Sequence, residues 1–251
     1  MTVPPTDLRA ALARAARTTR LLVTSDFDGT LAPLVNNPAD ARALPGALES
    51  LCALALLPDT TAALSSGRSL DVLTTLSGAP AGVHLIGSHG AEFDTGFAER
   101  IDTGLLDSIS SGLRTIADRF PGAMVETKPA GVVLHVRNAT AEDGEAALTA
   151  ARAAAVAWSA TMTEGKQILE FAVITTDKGD AIEILRDREK ASAVVFFGDD
   201  VTDEKAFRRM RDGDVSVKVG TGDTAAEFRV DTPADVAAAL AVLTAERGAL
   251  R

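Results

Sequence analysis

Short apolar runs, each stopped by a glycine, a hydroxyl or an acid, punctuate the two outer thirds of the chain. Leu21-Leu22-Val23-Thr24-Ser25 reads as a strand that ends in Asp26-Phe27-Asp28-Gly29-Thr30. Residues 60–65 repeat the design and end in Ser66-Gly67-Arg68-Ser69, and 83–87 lead into Ser88-His89-Gly90-Ala91-Glu92. Helical patterns separate them. One covers the Ala/Leu/Arg-rich stretch after Pro5, with Thr6 as its cap and Asp7 in the first turn. A second runs from Pro45 to Leu57, and a third over 70–77, capped by Ser69 and ended by Gly78. Strand, helix, strand, helix with short links predicts a parallel sheet, with helices on both faces and right-handed crossovers.

The middle of the chain changes pattern. A helix over 103–119 is followed by short strands at 123–127 and 132–136, joined at Pro129-Ala130-Gly131. A helix over 141–157, capped by Thr140, precedes strands at 160–163 and 167–173. Helix-hairpin-helix-hairpin predicts a separate antiparallel α+β layer. The parallel pattern then resumes: a helix from Asp177-Lys178 to about Arg188, a strand at 193–197 ending in Gly198-Asp199-Asp200-Val201-Thr202-Asp203-Glu204, and a helix over 203–211 capped by Thr202. Strands at 215–219 and 228–230 and a helix over 233–246, capped by Thr232, complete it. The fold class expected is α/β, a Rossmann-like parallel-sheet core of residues 1–97 and 176–251 with an inserted smaller α+β domain at 98–175.

Composition narrows the function. The chain has 251 residues, 46% of them hydrophobic, enough for a real core. Its net charge of −10 argues against nucleic acid or an anionic membrane as partner, since both require a basic footprint. Cys52 is the single cysteine and lies in an apolar helical run, so no disulfide framework is possible within the chain. No apolar stretch approaches the ~18 residues of a membrane span, and no leader pattern precedes the first helix, so a soluble cytoplasmic protein is expected. A monomer is expected too, though no residue pattern dictates it.

The polar residues that close the strands carry the chemistry. A carboxylate at the tip of a buried strand costs desolvation free energy unless something uses it. The D-x-D spacing puts Asp26 and Asp28 on one side of an extended segment. That suits a hard divalent cation with room for a phosphate, although D-x-D-G also occurs in calcium loops and plain turns. The partners downstream matter more. Ser66, Lys178, and Asp199 with Asp200 and Asp203 all fall at strand ends or a helix start, on the sheet edge where open parallel sheets bind ligands. Taken singly, each has an ordinary structural reading as a turn residue, a solvated lysine or a helix-dipole acid.

D-x-D-G-T, S-G-R, D-K-G and G-D-D-x-T-D-E, in that order, resemble the haloacid dehalogenase-like (HAD) phosphatases. Gly87-Ser88-His89-Gly90-Ala91-Glu92, Val125-Glu126-Thr127-Lys128, His135-Val136-Arg137-Asn138 and Gly165-Lys166-Gln167-Ile168-Leu169-Glu170 look like the trehalose-6-phosphate phosphatase branch. The resemblance implies an α+β cap over the core, hinged near 97 and 175, and Mg²⁺-dependent hydrolysis of a sugar phosphate. It implies Asp26 as nucleophile, Asp28 as acid and base, and Ser66 and Lys178 on the phosphoryl oxygens. Mg²⁺ would be held by Asp26, the Asp28 carbonyl and Asp199, with Asp200 and Asp203 behind them. Substrate contacts would come from Gly67, Arg68, His89, Lys128, His135, Arg137 and Glu170, with Asn37 and Arg42 as secondary candidates. Glu170-Phe171-Ala172 departs from the many relatives that carry an arginine two residues after the glutamate. Other sugar phosphates, a non-catalytic regulatory role and a mutase remain the alternatives at this stage.

Overall fold

The computed structural model describes residues 3–98, 101–174 and 176–250. In chain order the elements are α1 (Thr6–Ala16), β1 (Leu21–Asp26), α2 (Pro45–Ala55), β2 (Thr60–Ser65), α3 (Leu70–Ser77), β3 (Val83–Gly87), β4 (Glu92–Phe93), β5 (Gly96–Phe97), α4 (Thr103–Ala117), β6 (Met124–Lys128), β7 (Gly131–His135), α5 (Ala141–Ala155), β8 (Thr161–Gly165), β9 (Ile168–Ala172), α6 (Lys178–Glu189), β10 (Ala193–Gly198), α7 (Asp203–Phe207), β11 (Val215–Val219), β12 (Phe228–Val230) and α8 (Pro233–Gly248). The chain divides into two compact units, residues 1–98 with 176–251, and residues 99–175. The expected link at 175 lies outside the described residues.

Among the described residues the first unit holds one sheet, in the order β12-β11-β10-β1-β2-β3-β4-β5. Every pair from β12 to β3 is parallel, and only the short β4 and β5 run antiparallel. The strands are apolar on both faces because both faces are covered. Leu21, Val23, Val195, Phe197, Val215 and Val217 pack against α1, α2 and α8. Leu22, Val194 and Phe196 alternate to the other face, against α6 and α7. β1 sits between β2 and β10, and the chain builds outward from it in both directions. Such a switch point opens a crevice at the carboxyl ends of the strands.

The second unit is a four-stranded antiparallel sheet, β6-β7-β9-β8, with α4 and α5 on one face. Val132, Leu134, Leu169 and Phe171 point into that helix layer. Trp158 packs edge-on against Phe171, with ring centroids 5.3 Å apart.

Several ends differ from expectation for local reasons. α7 stops at Phe207 rather than 211, because the amides of Arg209 and Met210 bond three residues back and tighten the turn. Thr6, Ser69 and Thr202 make no side-chain cap bond. At α3 the first helical amide, that of Leu70, is held by the buried Glu92, whose Oε2 accepts it at 2.6 Å. Thr140 and Thr232 cap α5 and α8 as the sequence predicts. Cys52 is half-buried, and burial pushes its thiol up from the ordinary range.

Candidate active site

Three neighbouring strands deliver the site. β1 pairs with β2 so that Asp26 lies opposite Ser65, and with β10 so that Ser25 lies opposite Phe197. Asp26, Ser66 and Asp199 therefore leave the sheet at adjacent positions on one edge. Asp26 shares the face of β1 that packs under α6, and α6 opens with Lys178. Its N-terminus is held by a capping box between Asp177 and Asp180, which fixes where Lys178 begins.

Lys178 is buried and donates to Asp26 Oδ1 at 2.5 Å and to Asp203 Oδ1 at 2.7 Å. Asp203 Oδ2 accepts the backbone N–H groups of Asp199 and Asp200, both at 2.9 Å. Asp199 Oδ1 accepts the Thr30 hydroxyl at 3.2 Å. Gly29 stands at φ +81, and a Cβ there would overlap the Asp199 carboxylate, so the turn after Asp28 admits only glycine. Carboxylate oxygens of Asp26, Asp199 and Asp203 come within 4.8 Å of one another.

The cluster is short of positive charge. Burial raises the Asp26 carboxyl well above the usual carboxylate range; Lys178 pulls it down, Asp203 and Asp199 push it up, and the net shift is upward. Asp199 is raised as well, first by burial and then by Asp203. Burial alone would lower the Lys178 ammonium, but Asp26 and Asp203 outweigh it and the net shift is upward. A cation among the acids would relieve this excess. Both oxygens of Asp203 are already engaged, so Asp26 and Asp199 are the better ligands, and an all-oxygen donor set suits a hard divalent ion.

Asp28 does not face Lys178. Both of its oxygens accept from Arg68, Nε at 2.7 Å and Nη2 at 2.7 Å. Ser66 is buried, and its Oγ accepts the Arg68 N–H at 3.2 Å. The His89 N–H donates to the Ser66 carbonyl at 3.0 Å, and a Cβ on Gly67 would overlap the His89 ring. Gly67, Arg68 and His89 thus form one layer beside Ser66. Asp200 turns away, its Oδ1 accepting the Val201 N–H in its own loop. Asn37 and Arg42 are engaged locally, Asn37 with Ala39 and Asp40 and Arg42 with the carbonyls of Ala39 and Ala41.

In the second unit, Lys128, His135 and Glu170 alternate with the residues that point at the helices, so they share the helix-free face of the sheet. Lys128 Nζ meets Glu170 Oε1 at 2.7 Å, and His135 Nε2 meets Glu126 Oε2 at 2.8 Å. A cleft of about 680 Å³ on this unit is lined by Glu126, His135, Arg137, Asn138 and Lys166 among others. Sequence reasoning passed over Thr30, Glu92 and Lys218. Thr30 and Glu92 lie inside motifs that give no sign of their own roles, and Lys218 sits in an alternating Val-Ser-Val-Lys-Val run that reads as a plain strand.

The family model described as trehalose-phosphatase matches residues 24–234, from β1 to the start of α8. The chain belongs to the trehalose-phosphatase family. It is 34% identical over 227 residues to the trehalose-6-phosphate phosphatase of Escherichia coli, covering 87% of this chain and 85% of that one. The trehalose-phosphate phosphatase of Mycobacterium leprae is 34% identical over 236 residues, 84% of this chain and 54% of the relative. The chain therefore spans about half the length of the mycobacterial relatives it matches. Among solved structures, the trehalose-6-phosphate phosphatase of Aspergillus fumigatus aligns over 97% of this chain and 99% of that one, with TM-score 0.74 and 26% identity. The likeness to this trehalose-phosphatase structure extends over both units.

Proposed function

We propose that the chain hydrolyses trehalose 6-phosphate to trehalose and phosphate through an aspartyl-phosphate on Asp26. The observation that carries this reading is the buried Lys178 ammonium bridging Asp26 and Asp203 at the carboxyl edge of a parallel sheet. Asp26 attacks phosphorus and the bond to the sugar oxygen breaks, with Asp28 giving that oxygen a proton. Asp28 then takes a proton from a water that attacks the aspartyl-phosphate, and phosphate leaves. Ser66 and Lys178 hold the phosphoryl oxygens. The two-point contact with Arg68 suits the ionised Asp28 of the second step. The first step requires the protonated acid, so that pair opens when substrate arrives.

Asp26, the Asp28 carbonyl and Asp199 would hold Mg²⁺, which when bound neutralises phosphoryl oxygens that would otherwise repel the attacking carboxylate. The second unit serves as the substrate-selecting cap, with Lys128, Glu170, His135 and Arg137 on sugar hydroxyls. The proposed setting is the cytoplasm and the proposed form a monomer; among the described residues no helix is long and apolar enough to cross a membrane.

Phosphate release measured across trehalose 6-phosphate, sucrose phosphate, glucosylglycerol phosphate and glucose 6-phosphate tests the substrate. The highest kcat/KM is expected for trehalose 6-phosphate, and equal values across the panel would remove the specific assignment.

Metal uptake has its own signature. The raised carboxyls of Asp26 and Asp199 bind protons more tightly folded than unfolded. The metal-free fold accordingly loses stability as pH rises from the ordinary carboxylate range through their raised values, and regains it below. Because Mg²⁺ competes with those protons, excess Mg²⁺ should raise the melting temperature more at about pH 7.5 than at about pH 5. An equal gain at both pH values, or one that survives Asp199→Asn, would place the ion elsewhere.

A further inference from the structure

Lys218 is buried, 5% exposed, on a strand with no assigned part in the chemistry. Its neighbours Val217 and Val219 point toward α1, α2 and α8, so Lys218 points to the opposite face, the one carrying α6 and α7. The register sets it opposite Gly198, the residue just before Asp199. No side chain fits at Gly198, since a Cβ there would overlap the Asp203 carboxyl. Asp203 and Lys218 thus approach the 198–200 segment from two sides.

What Lys218 holds is a carbonyl. Its Nζ donates to the backbone oxygen of Asp199, and among the described residues no carboxylate lies within ion-pair distance. A buried ammonium on a neutral acceptor is costly. The same peptide unit is fixed at its other end, where the Asp200 N–H donates to Asp203 Oδ2. One peptide plane is therefore clamped by two buried charged groups of opposite sign, and its rotation would swing the Asp199 side chain.

We infer that Lys218 is a positioning residue for the metal centre, holding the Asp199–Asp200 peptide so that the Asp199 carboxylate stays aimed at Asp26. The inference rests on the proposed role of Asp26 and Asp199 as cation ligands. Lys218 touches neither cation nor substrate, so its loss lowers cation affinity and leaves turnover at saturating Mg²⁺ near that of the unmodified chain.

The test is calorimetric titration of Mg²⁺ into the metal-stripped full chain, which reads binding without turnover. Lys218→Met keeps the apolar stem to within one atom and removes donor and charge. It should weaken Mg²⁺ by about 10–100-fold, the usual effect of losing a group behind a metal ligand. Lys218→Arg, which keeps donor and charge, should lie between Lys218→Met and the unmodified chain. Lys218→Leu, which also removes donor and charge, carries the same expected loss if the methionine variant does not fold. At saturating Mg²⁺, kcat on trehalose 6-phosphate should return toward that of the unmodified chain while the Mg²⁺ activation constant stays raised. Affinity unchanged or tightened in Lys218→Met, or an arginine variant as weak as the methionine one, overturns the inference alone. An unmodified chain that takes up no Mg²⁺ overturns the proposed metal site and this inference with it.

Discussion

Asp26→Asn should cut phosphate release from trehalose 6-phosphate by on the order of 10⁴–10⁶-fold, the scale seen when a covalent nucleophile is removed from an otherwise intact site. The substitution keeps shape and one acceptor oxygen, so Lys178 retains a partner at that position and its ion pair with Asp203 at 2.7 Å. The amide cannot attack phosphorus, however. Removing one of three crowded carboxylates also relieves repulsion with Asp199 and Asp203. The variant should therefore fold at least as well as the unmodified chain and still bind substrate. Steady-state phosphate release, with equilibrium binding of trehalose 6-phosphate alongside, separates the two effects. Full activity in Asp26→Asn would assign the nucleophile to another group, while lost binding with a lost fold would show Asp26 to be structural.

The parts of this site that were readable in sequence are those where a strand must end. An apolar run that stops in acids, a hydroxyl or glycine announces both the element and the edge, and β1, β2 and β10 follow that rule. Parallel order then puts those edges together without any further signal. The missing parts depend on partners distant along the chain. Ser69 has the residue type of a cap but makes no cap bond, and the first helical amide, that of Leu70, goes to Glu92 arriving from β4. Arg68 was expected among the substrate contacts, and the structure pairs it with Asp28, forty residues earlier. Lys218 was hidden because alternation on a strand normally sends every second residue to water. Here both faces of the sheet are covered, so the alternate position is buried beside the acids. The hairpin of β4 and β5 was missed because two-residue strands show no period at all.

Asp214→Ala should destabilise the first unit by about 3–5 kcal/mol without touching the chemistry, the usual consequence of leaving a buried charge unpaired. Asp214 is buried and accepts from Arg186 Nη1 at 3.1 Å and Nη2 at 2.5 Å. It also accepts the backbone N–H groups of Val194 and Arg211, each at 2.8 Å. One carboxylate thereby ties α6 to the start of β10 and to the loop before β11. Removing it strands the Arg186 guanidinium, which keeps only Glu183 at 3.0 Å, together with two amides. At about 2–4 °C per kcal/mol for a domain of this size, the melting temperature should fall by about 10 °C. Asp214 lies at the amino end of β10 and β11 and the acids at the carboxyl end, so kcat at a temperature where both proteins are folded should be unchanged. Arg186→Met combined with Asp214→Leu should recover much of the loss, because an apolar pair leaves no charge behind. A double variant no more stable than Asp214→Ala would mean that the two backbone amides, rather than the guanidinium, account for the cost.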